Sequence, residues 1–149
     1  VAVKVDKNCL RFVWQARLEI GILKRLRCLD PDACNIVKLN ESFFDKTKVC
    51  MRFELMNQRQ SDNQGLSTRE LRPIMHKLAT TLDHLSSTGL VHTDLKPDRM
   101  MFVNRHERPL KVKLIDFGLA QAVADIKPSA CVQATYYREP EVHIPIHTF

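Results

Sequence analysis

L-V-H-T-D-L-K-P-D-R-M-M-F-V at residues 90–103, followed by a basic hairpin and then K-V-K-L-I-D-F-G at 111–118, decides the fold. Two short apolar strands each end on an aspartate. Asp94 follows Leu90 and Val91, and Asp116 follows Leu114 and Ile115. Strand backbone is rigid, so it can hold a base and a metal-binding carboxylate close together. Phosphoryl transfer from a nucleotide needs that pair.

The totals allow such a reading. The chain has 149 residues, 44% of them hydrophobic, which is enough for one ordinary domain with a core and argues against disorder. Lys and Arg number 23 against 17 Asp and Glu, a net charge of +6. These cations are scattered, so the excess reads as a basic surface that also suits an anionic partner such as ATP. No nucleic-acid motif accompanies it. No apolar run approaches the ~20 residues of a membrane span, and the opening V-A-V-K-V-D-K is not a signal peptide. Five cysteines (Cys9, Cys28, Cys34, Cys50 and Cys131) form no C-x-x-C pair, which favours a reducing compartment over a disulfide or zinc framework.

Outward from the deciding stretch, alternation predicts a strand over Val1–Val5 and a hairpin of Ile36–Phe44 with Lys48–Phe53, turning at Asp45 and Lys46. Four-residue steps through Trp14, Leu18, Ile22 and Leu26, with Leu23 beside them, predict a helix over Phe12–Arg27 buried on that stripe. Asn57–Gln64 has no apolar residue and reads as a solvated loop. Ser67–Ser87 predicts a long helix, opened by the capping box S-T-R-E and closed by Gly89. Its stripe runs through Leu71, Ile74, Met75, Leu78, Leu82 and Leu85 and reads as core, not as a cofactor site.

The run H-x-D-L-K-P followed by D-F-G, with V-A-V-K upstream, resembles the catalytic domain of eukaryotic protein kinases. F-E-L-M at 53–56, L-R-P at 71–73, V-K-L-I-D-F-G-L-A and Y-Y-R-E-P-E resemble, more narrowly, the homeodomain-interacting protein kinase group. The resemblance implies an α+β, bilobal protein-kinase-like fold, truncated to its middle. A partial small lobe over 1–53 runs from the third strand and C helix, 54–65 is hinge and linker, and 66–149 is a partial large lobe reaching the end of the activation segment. It implies ATP and Mg²⁺ as cofactors, a protein substrate or regulatory protein as partner, no membrane, and residence in the nucleus or cytoplasm.

Residue by residue, the resemblance makes Lys4 the strand lysine on the α- and β-phosphates, paired with Glu19 of the following helix. Leu23 would pack in the column of side chains joining the lobes. Phe53 would line the back of the adenine pocket, backbone groups of Glu54 and Met56 would bond the adenine edge, and Met101 would complete the ATP site. Asp94 would accept or orient the substrate proton, with Lys96 neutralising the γ-phosphate. His92 would be structural, packed on Phe117. Asp116 would hold the metal, and Gly118 would allow a tight turn behind it. Ser129, Cys131 and Glu141 would belong to the activation segment with Phe117 and Gly118. Cys131 takes the place of the group's autophosphorylated tyrosine and leaves Ser129 as the candidate phosphosite.

The departures are as specific. Arg99 stands where D-L-x-x-x-N requires the second metal ligand, and a guanidinium has no acceptor to offer a cation. The expectation is that Arg99 pairs instead with Asp116 or with a phosphate. Asp98, next to it, is the alternative ligand. Thr93 replaces a common arginine and removes the charge that would clamp a phosphorylated loop. No G-x-G-x-x-G occurs in the sequence. Two functions are therefore weighed. One is an ATP-dependent serine/threonine protein kinase. The other is a pseudokinase or truncated fragment acting as a nucleotide- or protein-binding module.

Overall fold

In the computed structural model, the described residues are 1–6, 10–56, 58–59, 65–104, 107–127 and 132–143. A three-stranded antiparallel sheet is built on Lys48–Phe53 (β3), flanked by Ala2–Val5 (β1) and Leu39–Asp45 (β2). Lys4 lies opposite Met51, and Phe43 opposite Cys50. The hairpin turns through Lys46, at φ 55°, as its D-K-T-K sequence predicts. β2 begins later than expected, because Ile36 leaves the hairpin to form a parallel bridge with Leu114.

Leu10–Arg25 (α1) packs on this sheet and ends in a short 3-10 turn, Leu26–Cys28. Its buried face differs from the predicted stripe. Ala16, Glu19, Leu23 and Leu26 are buried, whereas Trp14 is 64% and Leu18 51% exposed. The spacing 16–19–23–26 keeps one face toward the sheet, while Trp14 and Leu18 fall on the flank facing solvent. A glutamate can take the inner face because Lys4 waits there to pair with it.

Thr68–Ser87 (α2) carries the predicted capping box. The Ser67 hydroxyl accepts from the Glu70 N–H, and the Glu70 carboxylate accepts from the Ser67 N–H at 2.9 Å. Gly89 follows Thr88 with φ 68°, the left-handed geometry that glycine adopts without strain. Ile74, Thr81 and Leu85 are buried, and Leu78 packs beside them. Leu71, Met75 and Leu82 remain on an exposed flank, so the core stripe is narrower than the apolar periodicity.

Beyond α2, Leu90–Val91 (β5) pairs with Gln121–Ala122 (β8). Met100–Asn104 (β6) and Arg108–Leu114 (β7) form the basic hairpin. Gln58–Arg59 (β4) adds to the edge of β6, so part of the predicted loop is strand; Asn57 and residues 60–64 of that stretch lie outside the described residues. The polar run forms strand there because β6 offers an unpaired edge. The last element is Pro140–His143 (α3). One core runs through the two three-stranded sheets, β1–β3 and β4–β6–β7, from Leu23, Val49 and Met51 to Phe102, Leu114 and Phe117. Among the described residues no helix is long and apolar enough to cross a membrane.

Candidate nucleotide and phosphoryl-transfer site

A cleft of about 380 Å³ opens between the two sheets, lined at one end by Ala2, Val37, Phe53 and Met56 and at the other by Lys4, Glu19, Arg99 and Asp116. Met101 and Glu54 also line it. Register brings Lys4 to the cleft: in β1, Lys4 is more enclosed than Val3 and Val5 on either side of it. Its Nζ donates to Glu19 Oε2 at 2.7 Å and to Asp116 Oδ1 at 3.2 Å. Burial acts to lower the Lys4 pKa, but the charges of Glu19 and Asp116 outweigh it and hold the ammonium above its ordinary value. Burial raises the Glu19 carboxyl, and the competing charge of Asp116 adds to that rise while Lys4 opposes it. Burial also acts to raise the Asp116 carboxyl, but Lys4 and Arg99, with the Gly118 N–H, bring it below the ordinary carboxylate value.

Asp94 is 5% exposed and lies three residues beyond β5, and Asp116 follows β7 at φ 60°. Between them lies Arg99, at the end of the 3-10 turn Pro97–Arg99. Its Nε and Nη2 donate to Asp94 Oδ2 at 2.8 and 2.5 Å, and its Nη1 pairs with Asp116 Oδ2. The expected pairing of Arg99 with Asp116 is therefore present. The second half of the bridge, to Asp94, was not anticipated, because Asp94 and Arg99 share a side only once the Pro97–Arg99 turn is formed. Lys96 Nζ lies 3.3 Å from the same Asp94 oxygen. Asp94 and Lys96 reach the cleft through Arg99; Asp98 borders it directly.

The backbone behind Asp116 corrects one expectation. Asp116 itself, not Gly118, takes the left-handed turn. Gly118 matters by clearance: a Cβ there would stand 3.3 Å from both Asp116 Oδ1 and Glu19 Oε2. Gln15 of α1 donates to the Gly118 carbonyl at 3.3 Å. Phe117 is buried against His92, edge-on at 5.1 Å. Thr93, also at φ 60°, donates its hydroxyl to the Leu119 carbonyl at 2.5 Å and accepts from the Gln133 N–H at 2.8 Å. Ser129 and Cys131 lie outside the described residues, and Glu141 is placed only as backbone in α3.

Lys113 was missed by sequence reading. It is 1% exposed, and its Nζ donates to Glu54 Oε1 and Oε2 at 2.8 and 2.9 Å and pairs with Asp32 at 2.9 Å. The signal was a lysine inside the apolar run V-K-L-I and an acid inside F-E-L-M. A buried cation demands a buried or bordering anion.

A metal ion fits this arrangement poorly. Both Asp116 oxygens are engaged by protein cations, and Arg99 supplies no acceptor. Among the described residues no group of three or more His, Cys, Asp or Glu side chains could hold a metal.

The family model described as "Protein kinase domain" matches residues 1–145. Homeodomain-interacting protein kinase 1 of Mus musculus is 38% identical over 148 residues, covering 95% of this chain and 12% of that protein. Homeodomain-interacting protein kinase 2 of Mesocricetus auratus is 37% identical, over 95% of this chain and 13% of its own length. The chain thus spans roughly an eighth of these curated relatives. The crystal structure of the PF14_0431 kinase domain superposes with a TM-score of 0.84 at 26% identity, covering 95% of this chain and 49% of that one. With the family match spanning nearly its whole length and the fold superposing on a solved member, this chain belongs to the protein kinase domain family.

Proposed function

We propose that the chain is the nucleotide-handling part of an ATP-dependent serine/threonine protein kinase, which transfers the γ-phosphate of ATP to protein hydroxyls. One observation carries this reading: Lys4, Asp116 and Asp94 are joined in a single chain of charge contacts at one end of an otherwise apolar cleft. The apolar end suits adenine. The Glu54 N–H is already given to the Lys38 carbonyl at 3.2 Å, so Glu54 offers adenine its carbonyl and Met56 its N–H. Lys4 would hold phosphate oxygens. Asp94, buried in the segment after β5, would orient the substrate hydroxyl, with Lys96 beside it meeting the charge on the moving phosphoryl group. No step is assigned to a metal, since the residues present do not favour one.

The Arg99 bridge favours a second reading, a nucleotide- or protein-binding module with little or no turnover. Arg99 grips the Asp94 Oδ2 oxygen with two nitrogens, so a substrate hydroxyl must approach the carboxylate past a guanidinium already bound to it. Transfer of labelled phosphate from ATP to a basic protein substrate separates the two. Transfer by the native chain that disappears in Asp94→Asn supports the kinase. Nucleotide binding without transfer supports the module. Equal transfer by both proteins would remove Asp94 from the mechanism.

A further inference from the structure

Asp116 and Asp94 share one counter-ion that belongs to the chain itself. Arg99 takes Asp116 through one terminal nitrogen and Asp94 through its other two nitrogens. Lys4 occupies the remaining Asp116 oxygen at 3.2 Å. We propose that the cleft binds adenine nucleotides free of divalent cation, with Arg99 as the fixed positive charge at the phosphate end. This inference rests on the nucleotide cleft described above and adds the form of the nucleotide that it takes.

Charge balance gives the reason. Lys4, Lys96 and Arg99 face Glu19, Asp94 and Asp116 in direct contact, three cations against three carboxylates, and Asp98 borders the cleft as a fourth carboxylate. With a neutral residue at 99, two cations would face four carboxylates. A polyphosphate would then meet strong repulsion unless a dication came with it. Arg99 lessens that repulsion and also obstructs the dication. A cation reaching Asp116 must displace a charge-assisted contact and then sit beside a guanidinium that offers no lone pair. Since arginine keeps its proton at any physiological pH, this counter-ion is permanent.

The test measures affinity of the purified chain and of Arg99→Asn for ATP, ADP and adenosine by calorimetry, in excess EDTA and in excess Mg²⁺. Electron paramagnetic resonance of added Mn²⁺ reports metal binding independently of any activity. For the native chain, ATP should bind in excess EDTA and at least about 10-fold more weakly in excess Mg²⁺, which withdraws the free nucleotide as its complex. Equal affinity in the two conditions overturns the proposal. Mn²⁺ added without nucleotide should stay free. For Arg99→Asn, Mg²⁺ should tighten ATP by about 10-fold or more, the equivalent of ~1.4 kcal/mol, and bound Mn²⁺ should appear. Native ATP binding that needs Mg²⁺, or native Mn²⁺ binding, overturns the proposal and leaves the nucleotide cleft intact. Failure of the native chain to bind even adenosine overturns the cleft reading together with the proposal. If Arg99→Asn shows no cooperative melting, the native measurements alone decide.

Discussion

His92 is locked into one protonation state by its neighbours. Nε2 donates to the Ile115 carbonyl at 3.1 Å, so Nδ1 is left to accept from the Asp94 N–H at 3.3 Å. A second proton on Nδ1 would face that N–H in a buried site, and burial already holds the His92 pKa below its ordinary 6.5. The unfolded chain takes the proton near 6.5 and the folded chain refuses it. Stability from this group is therefore complete above that value and declines as pH falls below it. The melting temperature should drop from pH 7 toward pH 5, and the drop should shrink in His92→Asn. Asp116 acts in a lower window, below 3.8, with the same sign. Glu19, whose carboxyl is raised from 4.5, acts with the opposite sign, so the native-minus-variant difference isolates His92. Lys113→Met should cost about 2 kcal/mol in a urea melt, less than the ~3–5 expected for a fully buried pair, because the Glu54 side chain it abandons is 23% exposed. Such residues also mark the limit of sequence reading. The gathering of Lys4, Glu19, Asp94 and Asp116 in one place was legible because each sits in a motif run whose order was readable. Lys113 was not, because its partners lie 59 residues away at Glu54 and on the far Asp32 loop.

Elements show the same division between local and tertiary information. α2 was readable at both ends because caps are local hydrogen bonds: Ser67 with Glu70, then Gly89. Ser67→Ala should cost about 1 kcal/mol of stability in a denaturant melt. α1 was readable as a helix but not in its orientation. Hydrophobicity alone favoured Trp14 and Leu18, and the sheet selected Ala16, Glu19 and Leu23 instead. The segment after β7 depends on Thr93, a β-branched residue held at φ 60°, where such side chains are strained. Its hydroxyl and carbonyl fasten Leu119 and Gln133, fourteen positions apart, without any phosphate. Thr93→Val keeps the shape and deletes the hydroxyl. Amide hydrogen exchange should then accelerate at Ala120 and Gln133, with α2 unchanged. Protection at both positions equal to native would refute the fastening role.

At the scale of the molecule, the two sheets meet through few connections. Ile36 and Val37 join Leu114, with the Val37 N–H on the Leu114 carbonyl at 3.0 Å, and the Glu54 chain joins β3 to the strand beyond. Across the cleft, Asp116 is held by Lys4 from one sheet and by Arg99 beside the other. Lys4→Met should release this crossing. Melting would then lose cooperativity between the Trp14 fluorescence of α1 and the circular dichroism of the whole chain, whereas coincident transitions would contradict it. That the chain spans only part of its relatives was legible from the order of motifs. Of the crossing, the Arg99 half was expected, whereas the Lys4–Asp116 contact was not, since it requires both sheets to be assembled. A carboxylate clasped from above and below behaves as a closed latch, even with no guest inside. On the proposed nucleotide reading, the base would enter first along the Phe53 and Met56 side, with the tail arriving last. Adenosine and ATP should accordingly enter at nearly the same speed in stopped-flow mixing and part company only in how slowly they leave.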